Sequence, residues 1–203
     1  AALSLARIAM RAERYDVAGQ QFKNVVEAPK VSSAQLREAL NGLITCFENR
    51  KEYDAAAEMT KRFLAAYQND PTVFRKRVNL GFYYQQLGWF DQAISYFANL
   101  LAQGVPAEDQ AEVLFYTGEC YLYKGDCTQA ALEFYKVTQI EQKTEIDWRA
   151  SAYDMAGKAY ENCGKPEQAI QMYQKIIDTP GIDQIFKSGA AEKIERVKKL
   201  LNK

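Results

Sequence analysis

Residues 118–134 read GECYLYKGDCTQAALEF, and this stretch decides the fold. Glycine stands at its first and eighth places, an aromatic residue at its fourth, alanine at its thirteenth and an aromatic residue at its last. Residues 81–97 (GFYYQQLGWFDQAISYF) and 157–173 (GKAYENCGKPEQAIQMY) carry the same residue types at the same five places. Apolar residues three or four apart share one helix face, and glycine ends a helix in the left-handed conformation without a steric penalty. Each stretch therefore predicts two helices joined by a tight turn at the second glycine.

The alanine of this pattern recurs five times, every 37 to 39 residues, and is called the repeat alanine below. The repeat alanines are Ala18, Ala56, Ala93, Ala130 and Ala169. The first two units depart from the pattern: Ala9 and Thr60 each replace an aromatic residue, and Glu13 and Lys51 replace the turn glycine. The intervals between units contain Pro29, Pro71, Pro106 and Pro180, which end helices. This recurrence predicts an array of helical hairpins.

The whole chain, residues 1–203, is predicted to form a single array. Its repeats are expected at about 1–30, 34–70, 73–105, 108–142 and 147–180, followed by a closing helix at about 183–202. The apolar stripe of the closing helix consists of Phe186, Ala190, Ile194, Val197 and Leu201. Two i,i+4 ion pairs are expected on its wet side, Glu192 with Arg196 and Glu195 with Lys199. The segment is interpreted as a cap, apolar on one side and charged on the other.

The pattern resembles the tetratricopeptide repeat (TPR), and the resemblance covers the chain from about residue 3 to about residue 180. It implies an all-α fold, a right-handed α-α superhelix (solenoid) of five hairpins plus a C-terminal capping helix. It also implies that the large ring at the end of the pattern packs over the small residue at its beginning. Long connections between hairpins account for a period above the family's usual length of about 34 residues.

Composition excludes several classes of function. The 26 basic and 26 acidic residues balance, so no overall charge attracts nucleic acid. The chain has no histidine, which removes Ser-His-Asp and Cys-His catalysis and histidine-ligated metals. No run of 18 apolar residues occurs, so direct membrane insertion is not expected. We predict no enzyme activity, no cofactor and no metal site. The start at Ala1, without methionine or a signal peptide, is interpreted as that of an excised or processed piece.

The four cysteines, Cys46, Cys120, Cys127 and Cys163, form no Cys-x-x-Cys pair. Three of them lie inside predicted helices, where a small apolar side chain packs well. They are therefore interpreted as packing residues. A disulfide requires two Cα atoms within about 7 Å of each other, and that alternative stays open.

A partner surface is predicted on the first helix of each hairpin. Residues 12 and 9 places before the repeat alanine face the core, so residues 15, 11 and 8 places before it point to the opposite, concave side. Of the fifteen residues at these places, which also include Leu3, Met10, Glu48 and Glu161, eleven are predicted to form the groove. The predicted groove consists of Arg7, Asn41, Thr45, Val78, Phe82, Gln85, Phe115, Glu119, Leu122, Asp154 and Lys158. Apolar residues at its centre and polar residues at its ends suit an extended peptide or a helix. The alternative is that these residues only shape the surface or are covered by another repeat of the same parent protein.

The predicted groove differs from that of one well-defined branch of the family. TPR arrays that bind the acidic tails of heat-shock chaperones carry a lysine followed four residues later by an asparagine in the first helix. The corresponding pairs here are Leu3–Arg7, Asn41–Thr45, Val78–Phe82, Phe115–Glu119 and Asp154–Lys158, and none of them matches. A mostly apolar or amphipathic ligand is therefore preferred.

The sequence predicts a non-enzymatic interaction module, or scaffold, that holds a protein or peptide partner in the concave groove. The alternative is a structural or self-assembling repeat segment of a larger bacterial envelope protein, in which case the chain self-associates. Long repeats followed by a closing helix are loosely similar to the periplasmic TPR arrays of the Tol-Pal and outer-membrane assembly systems, which favours the cell envelope over the cytoplasm. An enzyme would instead need carboxylates such as Glu119 and Asp154 to share a cleft.

Overall fold

The structure is a computed structural model that describes residues 1–140 and 148–201. These residues contain eleven α-helices and no β-strand, and they form two compact units, Ala1–Trp89 and Phe90–Lys203. The helices of unit 1 are α1 (Ala2–Arg11), α2 (Tyr15–Val26), α3 (Ser33–Asn49), α4 (Tyr53–Ala66) and α5 (Val73–Gln86). The helices of unit 2 are α6 (Phe90–Gln103), α7 (Ala107–Tyr123), α8 (Cys127–Thr138), α9 (Trp148–Asn162), α10 (Pro166–Asp178) and α11 (Gln184–Leu201).

Each unit contains two complete hairpins, which we number by predicted repeat. Unit 1 contains hairpin 1 (α1, α2) and hairpin 2 (α3, α4), and unit 2 contains hairpin 4 (α7, α8) and hairpin 5 (α9, α10). The residue five places before the repeat alanine has a positive φ in all four: Glu13 (54°), Lys51 (58°), Gly125 (80°) and Gly164 (64°). The N–H of the next residue donates to the carbonyl oxygen five residues earlier, at 2.9 Å in each hairpin. This bond ends the first helix. The predicted turn position is therefore the same with or without glycine.

Local side chains start several of the helices. At α3, the Ser32 hydroxyl accepts the N–H of Gln35 at 3.2 Å, while the Gln35 side chain accepts the N–H of Ser32 at 3.0 Å. At α8, the Asp126 carboxylate accepts the N–H of Gln129 at 3.1 Å. Pro166 is the first residue of α10, where its missing N–H costs no helical bond. These features set where α3, α8 and α10 begin.

In unit 1, each helix packs against the next one along the chain. The core of the first two hairpins contains Ala18, Phe22, Leu43 and Cys46, each at most 3% exposed. Gly42 lies inside α3, and a Cβ atom there would overlap the Phe22 ring. The glycine is therefore a contact point between hairpins rather than a turn residue.

Unit 2 shows the large-over-small packing that the resemblance implies. A Cβ atom at Gly118 would lie 2.8 Å from the ring of Phe134, and one at Gly157 would overlap the ring of Tyr173. Both rings are almost completely buried, at 0% and 1% exposure. Each glycine therefore lets the second helix of its hairpin approach the first closely.

The closing helix α11 packs against α10 through Ala190, Ile194 and Val197. The predicted stripe is wrong at both ends, because Phe186 and Leu201 are each 44% exposed. Helix α11 has 18 residues and α10 has 13. At about 1.5 Å per residue, α11 is longer than its neighbour by roughly 7 Å, so its ends extend past the contact.

The interpretation of all four cysteines as packing residues is wrong for two of them. Cys127, the first residue of α8, forms a disulfide with Cys163, which follows α9, and their Cα atoms are 5.8 Å apart. Cys46 and Cys120 are free and buried. Burial raises the pKa of the Cys46 thiol to about 11 and that of Cys120 to about 12, so both stay protonated at neutral pH.

The four prolines predicted to separate repeats lie between helices or immediately before one: Pro29, Pro71, Pro106 and Pro180. The expected boundary between the fourth and fifth repeats, at 142–147, lies outside the described residues, and so does residue 202 of the closing helix. The division of the chain into a single array of five repeats stays a prediction.

Candidate functional site

In unit 1, four predicted groove residues are accessible on the first helices. Arg7 is exposed on α1, Asn41 and Thr45 are half-buried on α3, and Phe82 is half-buried on α5. The Phe82 ring lies edge-on to that of Tyr53, with 6.0 Å between the ring centroids. We call the surface that bears Arg7, Asn41, Thr45 and Phe82 face 1.

Polar contacts run across face 1 from one first helix to the next. Arg7 donates from Nε and Nη2 to the two carboxylate oxygens of Glu38 on α3, at 2.5 and 2.6 Å. Farther along α3, Glu48 accepts from Asn79 Nδ2 at 3.3 Å and from the hydroxyl of Tyr83, both on α5. These contacts hold the first helices of unit 1 side by side.

The charged groups of face 1 are engaged within the face. The hydrogen bond from Arg7 holds the pKa of Glu38 below its usual value, despite partial desolvation. Burial and the hydrogen bond to Glu48 raise the pKa of Tyr83. At neutral pH the Arg7 and Glu38 side chains are charged and paired, while the Tyr83 phenol is neutral. The neutral amide of Asn41 and the hydroxyl of Thr45 lie on α3 between these two hydrogen-bonded groups.

In unit 2, four further groove residues are accessible. Glu119 and Leu122 are half-buried on α7, Asp154 is half-buried on α9, and Lys158 is exposed on α9. We call the surface that bears Glu119, Leu122, Asp154 and Lys158 face 2. It is more strongly charged than face 1.

The closing helix contributes to face 2, which the sequence interpretation missed. Lys193 of α11 donates to Asp154. Arg196, predicted to pair with Glu192, instead donates to Glu161 of α9 at 2.8 Å. The sequence did carry a signal for these contacts, because the C-terminal stretch is rich in basic residues. The acidic residues that pair with them lie on α9, the first helix of hairpin 5.

Glu161 joins the closing helix to hairpin 5. Besides Arg196, it accepts a hydrogen bond of 2.6 Å from the hydroxyl of Tyr173 on α10. Burial, followed by this hydrogen bond, raises the pKa of Tyr173. The Lys193 ammonium lies 5.6 Å from the centroid of the same ring. Helix α11 is thus attached by charges as well as by its apolar stripe.

Three predicted groove residues are buried. Val78 and Gln85 on α5 are 0% and 3% exposed, and Phe115 on α7 is 9% exposed. The centroid of the Phe115 ring lies 5.2 Å from that of Phe134 and also 5.2 Å from that of Trp148. A first helix packs against the helix before it and the helix after it. More of its surface is therefore buried than the position of a residue within the repeat suggests. The predicted continuous groove stays a prediction, and its accessible members are those of faces 1 and 2.

The donors on both faces are suited to hydrogen bonds and ion pairs with a bound chain. Within residues 1–140 and 148–201, no cluster of three or more cysteine, aspartate or glutamate side chains could hold a metal ion. None of the helices described is both long enough and apolar enough to cross a membrane.

Comparison with known families identifies the class of protein. A family model described as "Tetratricopeptide repeat" matches residues 3–71 and 79–144, and a second model with the same description matches residues 150–179. The chain belongs to the tetratricopeptide repeat family. Proteins of this family are generally non-enzymatic scaffolds for interactions between proteins. No curated protein sequence matches the chain.

Solved structures share the fold. MamA is similar with a TM-score of 0.64 and 20% sequence identity, over 96% of this chain and 97% of that chain. YrrB, described as "a TPR protein with an unusual peptide-binding site", has a TM-score of 0.62 and 20% identity, over 94% of this chain and 90% of that chain. At this identity the similarity concerns the fold alone. It confirms the predicted fold class, an all-α superhelix of TPR hairpins.

Proposed function

We propose that the chain is a non-catalytic interaction module whose first-helix faces bind an extended segment of a protein partner. The observation that supports this proposal is a row of four polar residues on α3, spaced three or four residues apart. The row consists of Glu38, Asn41, Thr45 and Glu48. Such spacings place all four on one side of the helix. The two carboxylates of the row are bonded to neighbouring first helices, and the two neutral groups lie between them.

The chemistry of this row suits a peptide backbone. The side-chain amide of Asn41 offers both a donor and an acceptor, which complement the C=O and N–H groups of an extended chain. The Thr45 hydroxyl adds a donor and an acceptor one helical turn away. Phe82, on the neighbouring first helix, supplies apolar area for a partner side chain. Because the flanking carboxylates are already bonded, they keep hydrogen-bond partners when a peptide covers them.

Face 2 extends the same chemistry to charged partner residues. Lys158 is exposed and attracts an acidic side chain, while Leu122 offers apolar area on α7. The general character of the family supports an interaction role, and YrrB shows that a TPR array can carry a peptide-binding site. A protein or peptide partner is therefore favoured over a small-molecule substrate.

The experiment starts from a random 12-residue peptide library displayed on phage and selected on the folded chain. The dissociation constant of a selected peptide is then measured by fluorescence anisotropy for the parent chain and for the variant Asn41→Arg/Thr45→Lys. We expect at least a tenfold loss of affinity, about 1.4 kcal/mol, because two large cations cover the neutral row. The matched control is Gln20→Arg/Asn24→Lys on α2, an exposed pair with the same spacing, which should leave the affinity unchanged.

Circular dichroism verifies that both variants keep their helix content. Equal binding of the selected peptides to the Asn41→Arg/Thr45→Lys variant and to the parent chain would place the site away from face 1 and contradict the proposal. Light scattering of the same samples at rising concentration measures self-association separately. A mass that grows with concentration and is unaffected by peptide would favour the self-assembling alternative.

A further inference from the structure

A cavity of about 250 Å³ opens between hairpins 1 and 2 of unit 1, away from the residues of face 1. Its interior is apolar: Val26 of α2, Leu43 and Phe47 of α3, and Ala55 and Met59 of α4. Leu43 is buried, and the other four side chains are half-buried. The cavity is thus a partly open apolar hollow between two second helices, with a first helix as its floor.

The repeat pattern identifies a longer side chain for one position that lines the cavity. Ala55 stands one place before the repeat alanine of hairpin 2. The last three repeats have Gln92, Gln129 and Gln168 at that place. A glutamine is longer than alanine by three heavy atoms, so a glutamine at residue 55 is long enough to reach across the mouth of the cavity. Ala55→Gln therefore tests the cavity with a residue that this fold already accepts at the position.

The volume limits the ligand to a single apolar group. An apolar cavity of about 150 Å³ holds a benzene molecule, whereas pockets for drug-sized ligands measure roughly 300 to 1,000 Å³. A cavity of about 250 Å³ accommodates one aromatic ring or one branched aliphatic side chain and is too small for a large cofactor. Burying such a group raises affinity by roughly 10- to 100-fold. That is sufficient for an anchor within a larger contact, but weak by itself.

The mouth of the cavity carries both signs of charge. Lys23 lies on α2 and Glu27 directly follows that helix, with 3.8 Å between Lys23 Nζ and Glu27 Oε1. Glu58 and Arg62 lie on α4. All four residues are exposed. A rim of two cations and two anions has no net attraction for a phosphate, a fatty-acid carboxylate or an amine. It complements a helix that carries both lysine and glutamate beside an apolar residue, because each partner charge meets an opposite one.

We propose that this cavity is a second binding site, which takes one leucine-, methionine- or phenylalanine-sized side chain from an amphipathic helix of a protein partner. The partner helix lies over the groove between α2 and α4, inserts its apolar anchor over Leu43 and Phe47, and pairs its flanking charges with the rim. This site lies on the second helices of hairpins 1 and 2. It does not depend on peptide binding to face 1.

The test uses the full chain with ¹³C-methyl methionine and two synthetic helices, Ac-EAAAKEALAKEAAAK-NH2 and the same peptide with alanine in place of leucine. Met59 lines the cavity, while Met155 and Met172 in unit 2 are internal controls. We expect the leucine peptide to shift the Met59 methyl signal saturably, with a dissociation constant on the order of millimolar, while both controls stay unchanged. The alanine peptide should bind at least tenfold more weakly, because it lacks the buried side chain.

Ala55→Gln should weaken binding of the leucine peptide at least tenfold, and Ala55→Met provides a second filling variant if the first does not fold. Toluene, added in a parallel titration, reports whether the cavity accepts a free apolar molecule. A Met59 shift with toluene but not with the leucine peptide would overturn the proposal in favour of a small-molecule cavity. Equal shifts with both peptides, or binding unaffected by either filled variant, would also overturn it.

Discussion

Hairpins 2 and 4 place their large and small core residues on opposite helices. In hairpin 4, Gly118 stands 12 places before the repeat alanine and receives the ring of Phe134, which stands four places after it. In hairpin 2 the same two places hold Ile44 and Thr60, and both are completely buried. A large residue on the second helix is matched by a small one on the first, or the reverse. The two hairpins therefore hold pairs of similar combined volume at these places, although neither residue is the same.

The junctions between hairpins differ in the same two regions. In unit 1, Arg50 Nε lies 3.2 Å from Asp16 Oδ1, and the Asp16 side chain is 86% exposed. In unit 2, Cys163 occupies the place of Arg50, six residues before the repeat alanine, and is bonded to Cys127. An exposed ion pair contributes about 0 to 1 kcal/mol, whereas a disulfide contributes typically about 2 to 4 kcal/mol. The junction of hairpins 4 and 5 is therefore the more strongly tied.

The largest expected effect tests the volume exchange. Phe134→Ala should lower the free energy of unfolding of unit 2 by about 3 to 5 kcal/mol, because a fully buried ring leaves a cavity over Gly118. Thr60→Phe, which installs that ring in hairpin 2, should also destabilise, by about 1 to 3 kcal/mol, because Ile44 occupies the space. Guanidinium unfolding followed by circular dichroism measures both changes.

A combined variant sharpens this result. Adding Ile44→Gly to Thr60→Phe recreates the pair of hairpin 4 and should recover part of the loss, although a helical glycine itself costs about 1 kcal/mol. A stabilising Thr60→Phe variant would mean that the two buried residues of hairpin 2 leave open space, and the volume argument would fail.

The next effect concerns the disulfide. Reduction, or the double variant Cys127→Ser/Cys163→Ser, should lower the free energy of unfolding of unit 2 by about 2 to 4 kcal/mol, because the bond spans 36 residues of chain. Arg50→Ala at the corresponding place in unit 1 should cost about 1 kcal/mol or less. Hydrogen exchange measures the two units separately, and the double serine variant should show no dependence on reductant. Four titratable thiols in denaturant without reductant would contradict the disulfide.

The sequence predicted the features that local spacing determines. The turn at Gly125 and the approach of Phe134 to Gly118 each depend on residues within one hairpin. Their offsets translate directly into positions on a helix, so the order of residues alone is enough to infer them. The accessibility of Asn41 and Thr45 on α3 follows from the same arithmetic.

The remaining features depend on contacts between hairpins, which the repeat period does not specify. The Cys127–Cys163 bond requires the distance between two turns of neighbouring hairpins. The pairing of Arg196 with Glu161 requires the position of α11 against α9. Phe115 points into the core because Trp148 of the following first helix packs against its ring. In each case a neighbouring helix, not the residue's own register, decides the environment.

The smallest expected effect concerns the turns of hairpins 2 and 4. Both turns have the same left-handed backbone conformation, but one holds lysine and the other glycine. Gly125→Ala should cost about 1 kcal/mol, because no atom lies within 4 Å of the added Cβ and only the left-handed backbone resists the substitution. Lys51→Gly should stabilise unit 1 by about 0.5 kcal/mol, since it removes backbone strain but raises the entropy of the unfolded chain. Guanidinium midpoints of the two variants measure effects of opposite sign. Destabilisation by Lys51→Gly would contradict the prediction, because the entropy gained by the unfolded chain and the lost side-chain contacts would then outweigh the relief of backbone strain.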